Sequence, residues 1–496
     1  MITKLLLLLA KRRNNKVKKW AQDPMNTQDR VFKHLIAEAK ATKFGKDHSF
    51  KEIKDYNDFK KNVPIRDYED LKTYIDLTRE GRKDILWKGK PLYFAKTSGT
   101  TSGIKYIPIS KDSMKTHING AQEMLTAYAH NCKDVSFLTG KMMFLQGSPI
   151  LDEENGIKIG RLSGIVAHHT PNIFKFNEAI KLKTNCIEDW EKKVDTIVEE
   201  TKSKNMTVIG GIPSWLIMYF EKMIETTGKS ISETFPNLKL LVHGGVNFEP
   251  YQNKFNKLIG KHINFVELYP ASEGFIAYQD ELVKNGLLLM LNNGIFYEFI
   301  PLSKFIENVH ERISLKDVKL GVNYVLILNT SAGLWGYNIG DTIEFTSLSP
   351  YRIKVTGRVK HFISAFGEHV ISKEVEDSVK KTLQGTPIGI TEFTVAPQIT
   401  PEEGSLPYHE WFIEFEKKPR DLNEFSLNLD NEMQKQNIYY KDLITGKVLR
   451  PLVIRVIRKG GFNEYMKSIG KLGGQNKVPK LSDNRELING ISKFIE

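Results

Sequence analysis

The spacing of apolar and polar positions divides the chain into stretches of different character. Residues 26–42 carry apolar side chains at helical spacing behind an Asn or Thr cap, and Gly45 is predicted to close that helix. From there to Gly274, short apolar runs of strand length alternate with amphipathic helical segments. This order is typical of an α/β domain whose strands pair in parallel.

The pattern of apolar and polar positions changes at two further points along the chain. After Gly274 the sequence is rich in strand-like runs, and beyond Gly357 a smaller set of helices and strands begins anew. We therefore predict a large α/β domain over residues 1–357 and a small α+β domain over residues 358–496. The smaller part, about 140 residues, lies within the usual size of a domain.

The N-terminus resembles a secretory signal peptide, but its apolar run is too short and its basic residues lie on the wrong side of that run. The apolar run Leu5–Ala10 has six residues, and the basic cluster follows it. A signal peptide has a core of roughly 7–15 apolar residues with the basic residues before it, and a spanning helix needs about 20. We predict an amphipathic first helix, no stable membrane insertion and a cytoplasmic protein.

Composition narrows the classes of partner. Cys132 and Cys186 are the only cysteines among 496 residues and form no CxxC pair, which disfavours a disulfide scaffold or a thiolate zinc site. The pair His168–His169 lacks acidic company, which favours a loop over a metal site. The formal charge of +13 suits nucleic acid or a membrane surface, but the lysines interleave with acids. This mixture favours a solvated surface that attracts anionic small molecules, so we predict no nucleic-acid partner.

Residues 96–106, KTSGTTSGIKY, follow the strand-like run PLYFA and raise the question of phosphate binding. A Walker A loop is excluded because Gly99 and Gly103 are one residue too close, Tyr106 replaces the hydroxyl residue, and a strand follows. What remains is a hydroxyl-rich loop between two strands. Such a loop either clamps phosphates through its N–H and O–H groups or is a plain exposed turn.

Three later segments favour the phosphate interpretation. Gly244–Gly245 ends a strand, where missing side chains let a flat base pack on the backbone. Glu273 follows another strand in LYPASEG, and a carboxylate in a phosphate site is a natural Mg²⁺ ligand. Asp341 follows Gly340 in GYNIGD, and a carboxylate accepts hydrogen bonds from the vicinal hydroxyls of a ribose. Each segment alone is compatible with a turn, but their joint order indicates a nucleotide site.

These motifs resemble a known family. TSGTTSGIKYIP, HGGV, LYPASEG, GYNIGD, GRVKHFISAFGE and GGQNKVPKL are similar to those of the acyl-adenylate-forming superfamily of acyl-CoA synthetases, peptide-synthetase adenylation domains and luciferases. Within it, the sequence most resembles the auxin-responsive Gretchen Hagen family of acyl acid–amido synthetases, over nearly the whole chain. The resemblance implies a large multi-sheet N-terminal adenylate-forming domain and a small, mobile α+β C-terminal lid.

The resemblance also implies ATP and Mg²⁺ as cofactors, with Glu273 as the magnesium carboxylate. Lys477 matches the catalytic lysine that the mobile domain brings to the adenylate. Two departures stand out: Asn338 and Lys480 occupy positions where the family usually has arginine, so the roles of those arginines are not carried over to them. The residues predicted to bind ATP, by motif and by resemblance, are Ser98, Gly99, Thr100, Thr101, Ser102, Gly244, Gly245, Tyr269, Ala271, Ser272, Asp341 and Arg358.

We accordingly predict an enzyme that activates a carboxylic acid as an acyl-adenylate and transfers it to an amine, an amino acid, as an amide. Two alternatives stay open: a thioester-forming ligase that uses coenzyme A, and a non-catalytic basic binding protein that keeps the fold. Trp215 and Met218 are candidates for the acyl pocket, against simple core packing. Arg161 is a candidate for the carboxylate of an amino acid, against a solvated arginine. The oligomeric state is left open.

Overall fold

The chain folds into two compact units, seen in a computed structural model. The large unit comprises Met1–Phe248, Asn253–Ile339 and Ile343–Lys354, and the small unit comprises Glu249–Gln252, Gly340–Thr342 and Val355–Glu496. The structure describes residues 2–98, 104–169, 176–187, 189–245, 248–359, 362–363, 368, 370–399, 401, 406–445, 448–473, 477–482 and 485–496.

Helices occur throughout the described residues. The first, Ile2–Gln22, is the amphipathic helix that the sequence predicts. Short 3₁₀ turns lie at Ser136–Leu138, Leu315–Asp317 and Ser492–Phe494. The α-helices, α1 to α18 in chain order, are Ile2–Gln22, Pro24–Ala39, Lys43–Asp47, Tyr56–Asn62, Tyr68–Arg79, Lys111–Cys132, Leu162–His168, Leu182–Asn185, Trp190–Thr201, Pro213–Thr227, Ile231–Thr234, Glu249–Ile259, Leu302–Ile306, Ser372–Leu383, Leu422–Gln436, Ile438–Thr445, Gly461–Ser468 and Glu486–Ile491.

The strands of the described residues form four sheets. Those of the described residues, β1 to β20 in chain order, are Tyr93–Ser98, Ile104–Ile109, Lys141–Phe144, Asp152–Glu154, Ile157–Gly160, Met206–Gly211, Leu240–Gly244, Asn264–Ala271, Gly274–Tyr278, Leu287–Leu289, Ile295–Pro301, Ile313–Ser314, Asn323–Thr330, Tyr337–Leu348, Tyr351–Arg358, Phe362–Ile363, Val370–Ile371, Gly389–Gln398, Tyr408–Lys417 and Val453–Ile457.

In the part of the chain that the structure describes, the largest sheet has eleven strands, in the order β12-β11-β13-β14-β15-β10-β9-β8-β7-β6-β3. Its half formed by β3, β6, β7 and β8 is parallel, and helices such as α10 and α12 connect these strands. The strands after β8 pair antiparallel where the register is described. The change from alternating helices and strands to a strand-rich region after Gly274 is therefore confirmed.

A separate four-stranded sheet, β2-β1-β5-β4, carries the predicted hairpin. Strands β1 and β2 pair antiparallel, with Thr97 opposite Lys105 and Ser98 opposite Ile104. The apolar run before the hydroxyl-rich segment thus forms a strand, and a second strand follows the segment, as predicted.

One helix begins differently from its prediction. Helix α2 starts at Pro24 with Asp23 at the capping position, so an Asn or Thr cap near residue 26 is wrong. Proline suits the first helical turn because its fixed φ is already helical and its missing N–H would be unpaired there. Gly45 does not close α2 either. It lies inside α3, where its N–H donates to the Thr42 hydroxyl at 3.0 Å.

The small unit has its own core. Strands β18, β19 and β20 form a sheet in that order, and β16 pairs with β17. Buried residues of this core include Phe393 and Trp411 from the sheet, Val375 from α14 and Leu429 from α15. A mixed sheet with its own apolar core agrees with the predicted α+β class.

Two further features bear on the sequence predictions. Cys132 and Cys186 are both free thiols, as the absence of a CxxC pair suggested. Among the helices of the described residues, none is both long enough and apolar enough to cross a membrane.

Candidate active site

The parallel strands of the large unit end together at one edge of the sheet. Strand β6 ends at Gly211, β7 at Gly244 and β8 at Ala271. Because β6, β7 and β8 are parallel neighbours, their carboxyl ends share this edge. In open α/β sheets, ligands bind in the crevice outside such ends. The motifs HGGV and LYPASEG therefore lie where a ligand site is expected.

The two glycines after β7 serve a clear backbone purpose. A methyl group on Gly244 would come within 2.3 Å of the Leu268 carbonyl oxygen on the neighbouring strand, so no larger residue fits without displacement. Gly245 has a φ of +84°, a left-handed conformation that favours glycine, and it is exposed. The close packing of the strands explains Gly244. Packing of a nucleotide base at this turn remains a prediction.

The LYPASEG segment forms a tight hairpin. Ala271 at the end of β8 pairs with Gly274 at the start of β9, which leaves Ser272 and Glu273 as the turn. Ser272 is buried and Glu273 is half-buried. Tyr269, on the same strand, is also buried. The predicted carboxylate thus sits at the carboxyl end of a parallel strand, on a turn whose ends are fixed by the sheet.

Tyr337 holds Glu273, and the sequence did not single it out. Its hydroxyl donates a hydrogen bond to Oε1 of Glu273 at 3.4 Å, and the tyrosine is buried at the start of β14. The only sequence signal was its place in GYNIGD, four residues before Asp341. The contact contributes to fixing the position of that carboxylate on the turn.

A single restrained carboxylate fits magnesium in a nucleotide site. Mg²⁺ keeps several waters and takes only one or two protein carboxylates when phosphates supply other oxygens. Groups of three or more His, Cys, Asp or Glu that could hold a metal alone are absent from the described part of the chain. His168 and His169 have other partners, the Pro149 carbonyl oxygen at 2.8 Å and the Tyr93 hydroxyl at 2.9 Å.

His243 is a second residue that the sequence analysis missed, although it begins the HGGV motif. Its ring stacks on Phe248 with 4.0 Å between centroids. Burial lowers the pKa of His243 to about 3, so the imidazole is neutral at physiological pH. Within the described residues, its Nδ1 has no hydrogen-bond partner. A neutral buried histidine at the end of β7 is consistent with packing support for the glycine turn.

The predicted phosphate loop is only partly described. Ser98 ends β1, while Gly99, Thr100, Thr101 and Ser102 lie outside the described residues. Lys105, on β2, has its ammonium over the ring of Tyr68, 5.5 Å from the centroid. Lys105 therefore has an aromatic partner on α5.

In the small unit, Asp341 and Arg358 form an ion pair. Nε of Arg358 lies 2.8 Å from Oδ1 of Asp341, with 44% of the arginine side chain and 16% of the aspartate side chain exposed. The backbone makes the approach possible: Gly340 adopts a φ of +85°, and the Val359 N–H donates to the Gly340 carbonyl oxygen at 2.7 Å. Asp341 and Arg358, which belong to different sequence motifs, are therefore in direct contact.

Lys477 responds to the same two charges. Desolvation by the surrounding protein lowers the pKa of Lys477 to about 8, while Asp341 raises it and Arg358 lowers it. The residue as a whole nevertheless keeps an exposed surface. Lys477, Asp341 and Arg358 thus form a charged cluster in the small unit, which we call the lysine cluster. The sequence separated its members by up to 136 positions (477 − 341).

Comparison with known proteins places these motifs in one family. Models of the GH3 family N-terminal domain match residues 13–179 and 148–263, the central-domain model matches residues 288–358, and the C-terminal-domain model matches residues 372–486. The chain belongs to the GH3 family. This family is the one that the motif resemblance indicated.

Curated relatives of this GH3 chain are amido synthetases. The jasmonoyl–L-amino acid synthetase JAR4 of Nicotiana attenuata is 21% identical over 537 residues, covering 92% of this chain and 91% of that protein. The indole-3-acetic acid-amido synthetase GH3.15 of Arabidopsis thaliana is 22% identical over 553 residues, covering 89% of this chain and 88% of that protein. Similarity thus extends over most of both chains.

Solved structures agree on the fold. The AtGH3.15 acyl acid amido synthetase in complex with 2,4-DB aligns with a TM-score of 0.80 at 17% identity, covering 98% of this chain and 96% of that one. A 2-hydroxyisobutyryl-CoA ligase in the postadenylation state aligns with a TM-score of 0.55 at 13% identity, covering 99% and 91%. The predicted adenylate-forming fold is therefore confirmed.

The structure gives contacts for Asn338 and Lys480, the two residues that depart from the expected arginines. The Asn338 N–H donates to the Arg66 carbonyl oxygen at 2.8 Å, a bond that any side chain except proline permits. Lys480 pairs with Glu392, and its ammonium lies over the rings of Phe393 and Tyr251 at 4.7 and 5.6 Å. Burial alone would lower the pKa of Lys480, but the Glu392 carboxylate and Tyr251 raise it above its ordinary value. Lys480 is therefore bound within the small unit.

The residues predicted to line the substrate pockets differ in how deeply they are buried. Trp215 is buried against Trp190, with ring centroids 4.6 Å apart, which agrees with core packing. Met218 on the same helix is partly buried. Arg161 is exposed, and a methyl group on Gly147 would come within 2.7 Å of its Cδ. A role for Arg161 in binding an amino-acid carboxylate stays a prediction.

Proposed function

We propose that the protein is a ligase that activates a carboxylic acid with ATP and transfers the acyl group to the amine of an amino acid. Membership of the GH3 family supports the reaction class. The observation that carries the proposal is the lysine cluster, which joins a predicted ribose-binding carboxylate to a cation. Residues 1–357 would form the adenylate-forming domain and residues 358–496 the lid. Two free cysteines support a reducing, cytoplasmic setting.

In the first half-reaction the substrate carboxylate attacks the α-phosphorus of ATP, and pyrophosphate leaves. Negative charge accumulates on the phosphate oxygens, so catalysis depends on positioned cations and N–H groups rather than on a protein nucleophile. Lys477 would supply one such cation. Ser98, Gly99, Thr100, Thr101 and Ser102 would supply the phosphate-binding donors.

The remaining residues would position the nucleotide. Asp341 would accept hydrogen bonds from the ribose hydroxyls, and Arg358, which already contacts its Oδ1, would fix that carboxylate. Glu273, restrained by Tyr337, would hold magnesium, which neutralises phosphate charge when it is bound. The turns at Gly244–Gly245 and at Tyr269, Ala271 and Ser272 would border the adenosine and the acyl group.

In the second half-reaction an amine attacks the activated carbonyl carbon. A new C–N bond forms, the C–O bond to phosphate breaks, AMP leaves, and the ammonium proton passes to solvent or to a base. The mixed anhydride is prone to hydrolysis, so exclusion of water by the lid would protect it. The alternative acceptor, a thiol such as coenzyme A, would use the same adenylate.

The first test is ATP–pyrophosphate exchange with a library of carboxylic acids. We expect exchange with at least one acid, and a loss of about 100-fold or more in Lys477→Ala, the magnitude typical of removing one charge-stabilising donor. Lys471→Ala, an exposed lysine of the same unit, should stay within about twofold of wild type. Absence of exchange with every acid, together with unchanged nucleotide binding in Asp341→Ala, would reject an enzymatic function.

The second test identifies the acceptor. The active acid is incubated with ATP and either a mixture of amino acids or coenzyme A, and the product mass is measured with AMP release. An amide product supports the proposal. A thioester as the only product would replace it with an acyl-CoA ligase function.

A further inference from the structure

Helix α1 carries an unusual distribution of charge. Its 21 residues, Ile2–Gln22, contain seven lysines and arginines and no aspartate or glutamate. The rest of the chain holds 65 lysines and arginines (72 − 7) and 59 aspartates and glutamates, so α1 departs from the nearly balanced charge found elsewhere. A helix with one sign of charge alone attracts an anionic partner.

The inner face of α1 is fixed against the large unit. Ala10, Val17 and Trp20 are buried at helical spacing. Arg13, on the same face, donates from Nη1 to Oε1 of Gln122 on α6 at 2.9 Å. These contacts set the rotation of α1 and leave a flank beside the inner face exposed to solvent, which we call the outer face; it carries Leu5, Leu8, Leu9, Arg12, Lys16 and Lys19.

The outer face begins with apolar side chains. Leu5, Leu8 and Leu9 expose 56%, 44% and 48% of their surfaces. Spacings of three and four residues place them side by side on the helix surface. Single exposed leucines are ordinary, but three adjacent ones on a helix of one charge sign form an apolar patch that needs an explanation.

The outer face continues with cations. Arg12, Lys16 and Lys19 follow the leucines at helical spacing, and all three are exposed. At 1.5 Å per residue, the face runs about 21 Å from its apolar end at Leu5 to its basic end at Lys19. Lys16 and Lys19 also line a groove of about 800 Å³, with Arg30, Asp23 and Asp112 among its walls.

The cations and the leucines of the outer face together favour one kind of binding partner. A second copy docking face to face would bring two basic helices together, which is repulsive. A nucleic-acid backbone would neutralise the cations but leave the leucines in water. An anionic lipid surface satisfies both, because acyl chains cover leucines and lipid phosphates pair with Lys and Arg.

We infer that the outer face of α1 docks the protein peripherally on membranes that contain anionic phospholipids. The leucines enter the interfacial layer, and Arg12, Lys16 and Lys19 contact the lipid phosphates. The attachment is reversible and does not require a spanning helix. Its effect is to hold the protein at a lipid surface.

The test is co-sedimentation of the full chain with vesicles of phosphatidylcholine, alone or with about 30% phosphatidylserine. We expect binding to the mixed vesicles at 0.15 M salt to exceed binding to phosphatidylcholine at least tenfold. Raising the salt to 0.5 M should reduce it by a similar factor, because salt screens the lipid charge. Equal binding to both vesicles, or no binding to either, would overturn the inference.

Two triple variants separate the apolar and ionic contributions. Leu5→Gln/Leu8→Gln/Leu9→Gln and Arg12→Ala/Lys16→Ala/Lys19→Ala should each lower the partition coefficient at least tenfold. Both leave the inner face intact, and circular dichroism checks that the protein stays folded. Matched controls remove equally many exposed side chains elsewhere and should stay within twofold: Leu182→Gln/Val283→Gln/Leu320→Gln and Lys158→Ala/Lys183→Ala/Lys229→Ala.

Two other results would assign the face to a different partner. Salt-sensitive binding to a duplex oligonucleotide that the cation variant abolishes and the leucine variant leaves unchanged would identify nucleic acid. A concentration-dependent dimer in sedimentation velocity that the leucine variant dissociates would identify a second copy. Either result, without vesicle binding, would refute docking on lipid.

Discussion

Replacing Asp341 with asparagine tests whether the lysine cluster binds the nucleotide. The substitution keeps the shape and one acceptor oxygen but removes the negative charge. Hydrogen bonds to charged groups contribute about 1.5–3 kcal/mol each. If Asp341 accepts from a ribose hydroxyl, losing one such bond should lower kcat/KM for ATP by about 10- to 150-fold, since about 1.4 kcal/mol corresponds to tenfold.

The same substitution should have little effect on folding. The ion pair between Asp341 and Arg358 is partly exposed, with 44% of the arginine side chain in contact with solvent. Pairs of this kind stabilise proteins by about 1 kcal/mol or less. We therefore expect the free energy of unfolding, measured in urea, to fall by no more than about 1 kcal/mol.

The assay is ATP–pyrophosphate exchange over a range of ATP concentrations, with urea unfolding of the same samples. Asp377→Asn is the control, because Asp377 lies in the same unit and its carboxylate is 3.6 Å from the ammonium of Lys373. It should leave kcat/KM within about twofold of wild type. Unchanged kcat/KM in Asp341→Asn, or a loss that matches a fall in the folded fraction, would refute nucleotide binding by Asp341.

Three further predictions concern other parts of the molecule. Because the pKa of Lys477 is lowered to about 8, its ammonium loses its charge at a lower pH than that of an ordinary lysine, and pyrophosphate exchange should fall as pH rises through about 8. Lys477→Arg should remove this decline, because arginine stays charged. The same pH profile in wild type and Lys477→Arg would contradict a catalytic role for the Lys477 charge. Gly244→Ala should lower the free energy of unfolding by about 1–3 kcal/mol, because its methyl group would collide with the Leu268 carbonyl oxygen. An unchanged free energy of unfolding in urea would show that β7 and β8 can move apart without cost. Arg312→Met should cost about 3–5 kcal/mol in the same assay, because Glu298, whose side chain is 0% exposed, keeps its bond from Asn329 but loses its cationic partner at 3.0 Å. Adding Glu298→Gln should recover part of that loss, and a double variant no more stable than the single one would argue against an uncompensated charge.

Local sequence patterns predicted much of the fold. The apolar runs before Gly244 and Ala271 form strands β7 and β8, and the segment around the hydroxyl-rich loop forms the hairpin β1–β2. The cap of α2 was mistaken because Pro24, two residues before the predicted cap, already starts the helix. Where the deciding interaction lies within a few residues, the sequence shows it directly.

For the candidate site, the sequence predicted the residues but not the contacts between them. The motifs named Glu273, Asp341, Arg358 and Lys477, but no local pattern indicated that Tyr337 donates to Glu273 across 64 positions. Nor did any pattern indicate that Arg358 pairs with Asp341, or that both charges act on Lys477. These neighbours come from the order of strands in the sheet and the path of the chain through the small unit.

By itself, the sequence determined the elements, the family and the identity of most candidate site residues, because spacing and residue type act over one turn or one strand. Tertiary structure alone decided which side chains became partners. It paired Lys480 with Glu392 inside the small unit and left the leucines of α1 facing outward. The physical reason is that pairing and burial depend on distances in space, which residues far apart in sequence acquire only when the chain is folded.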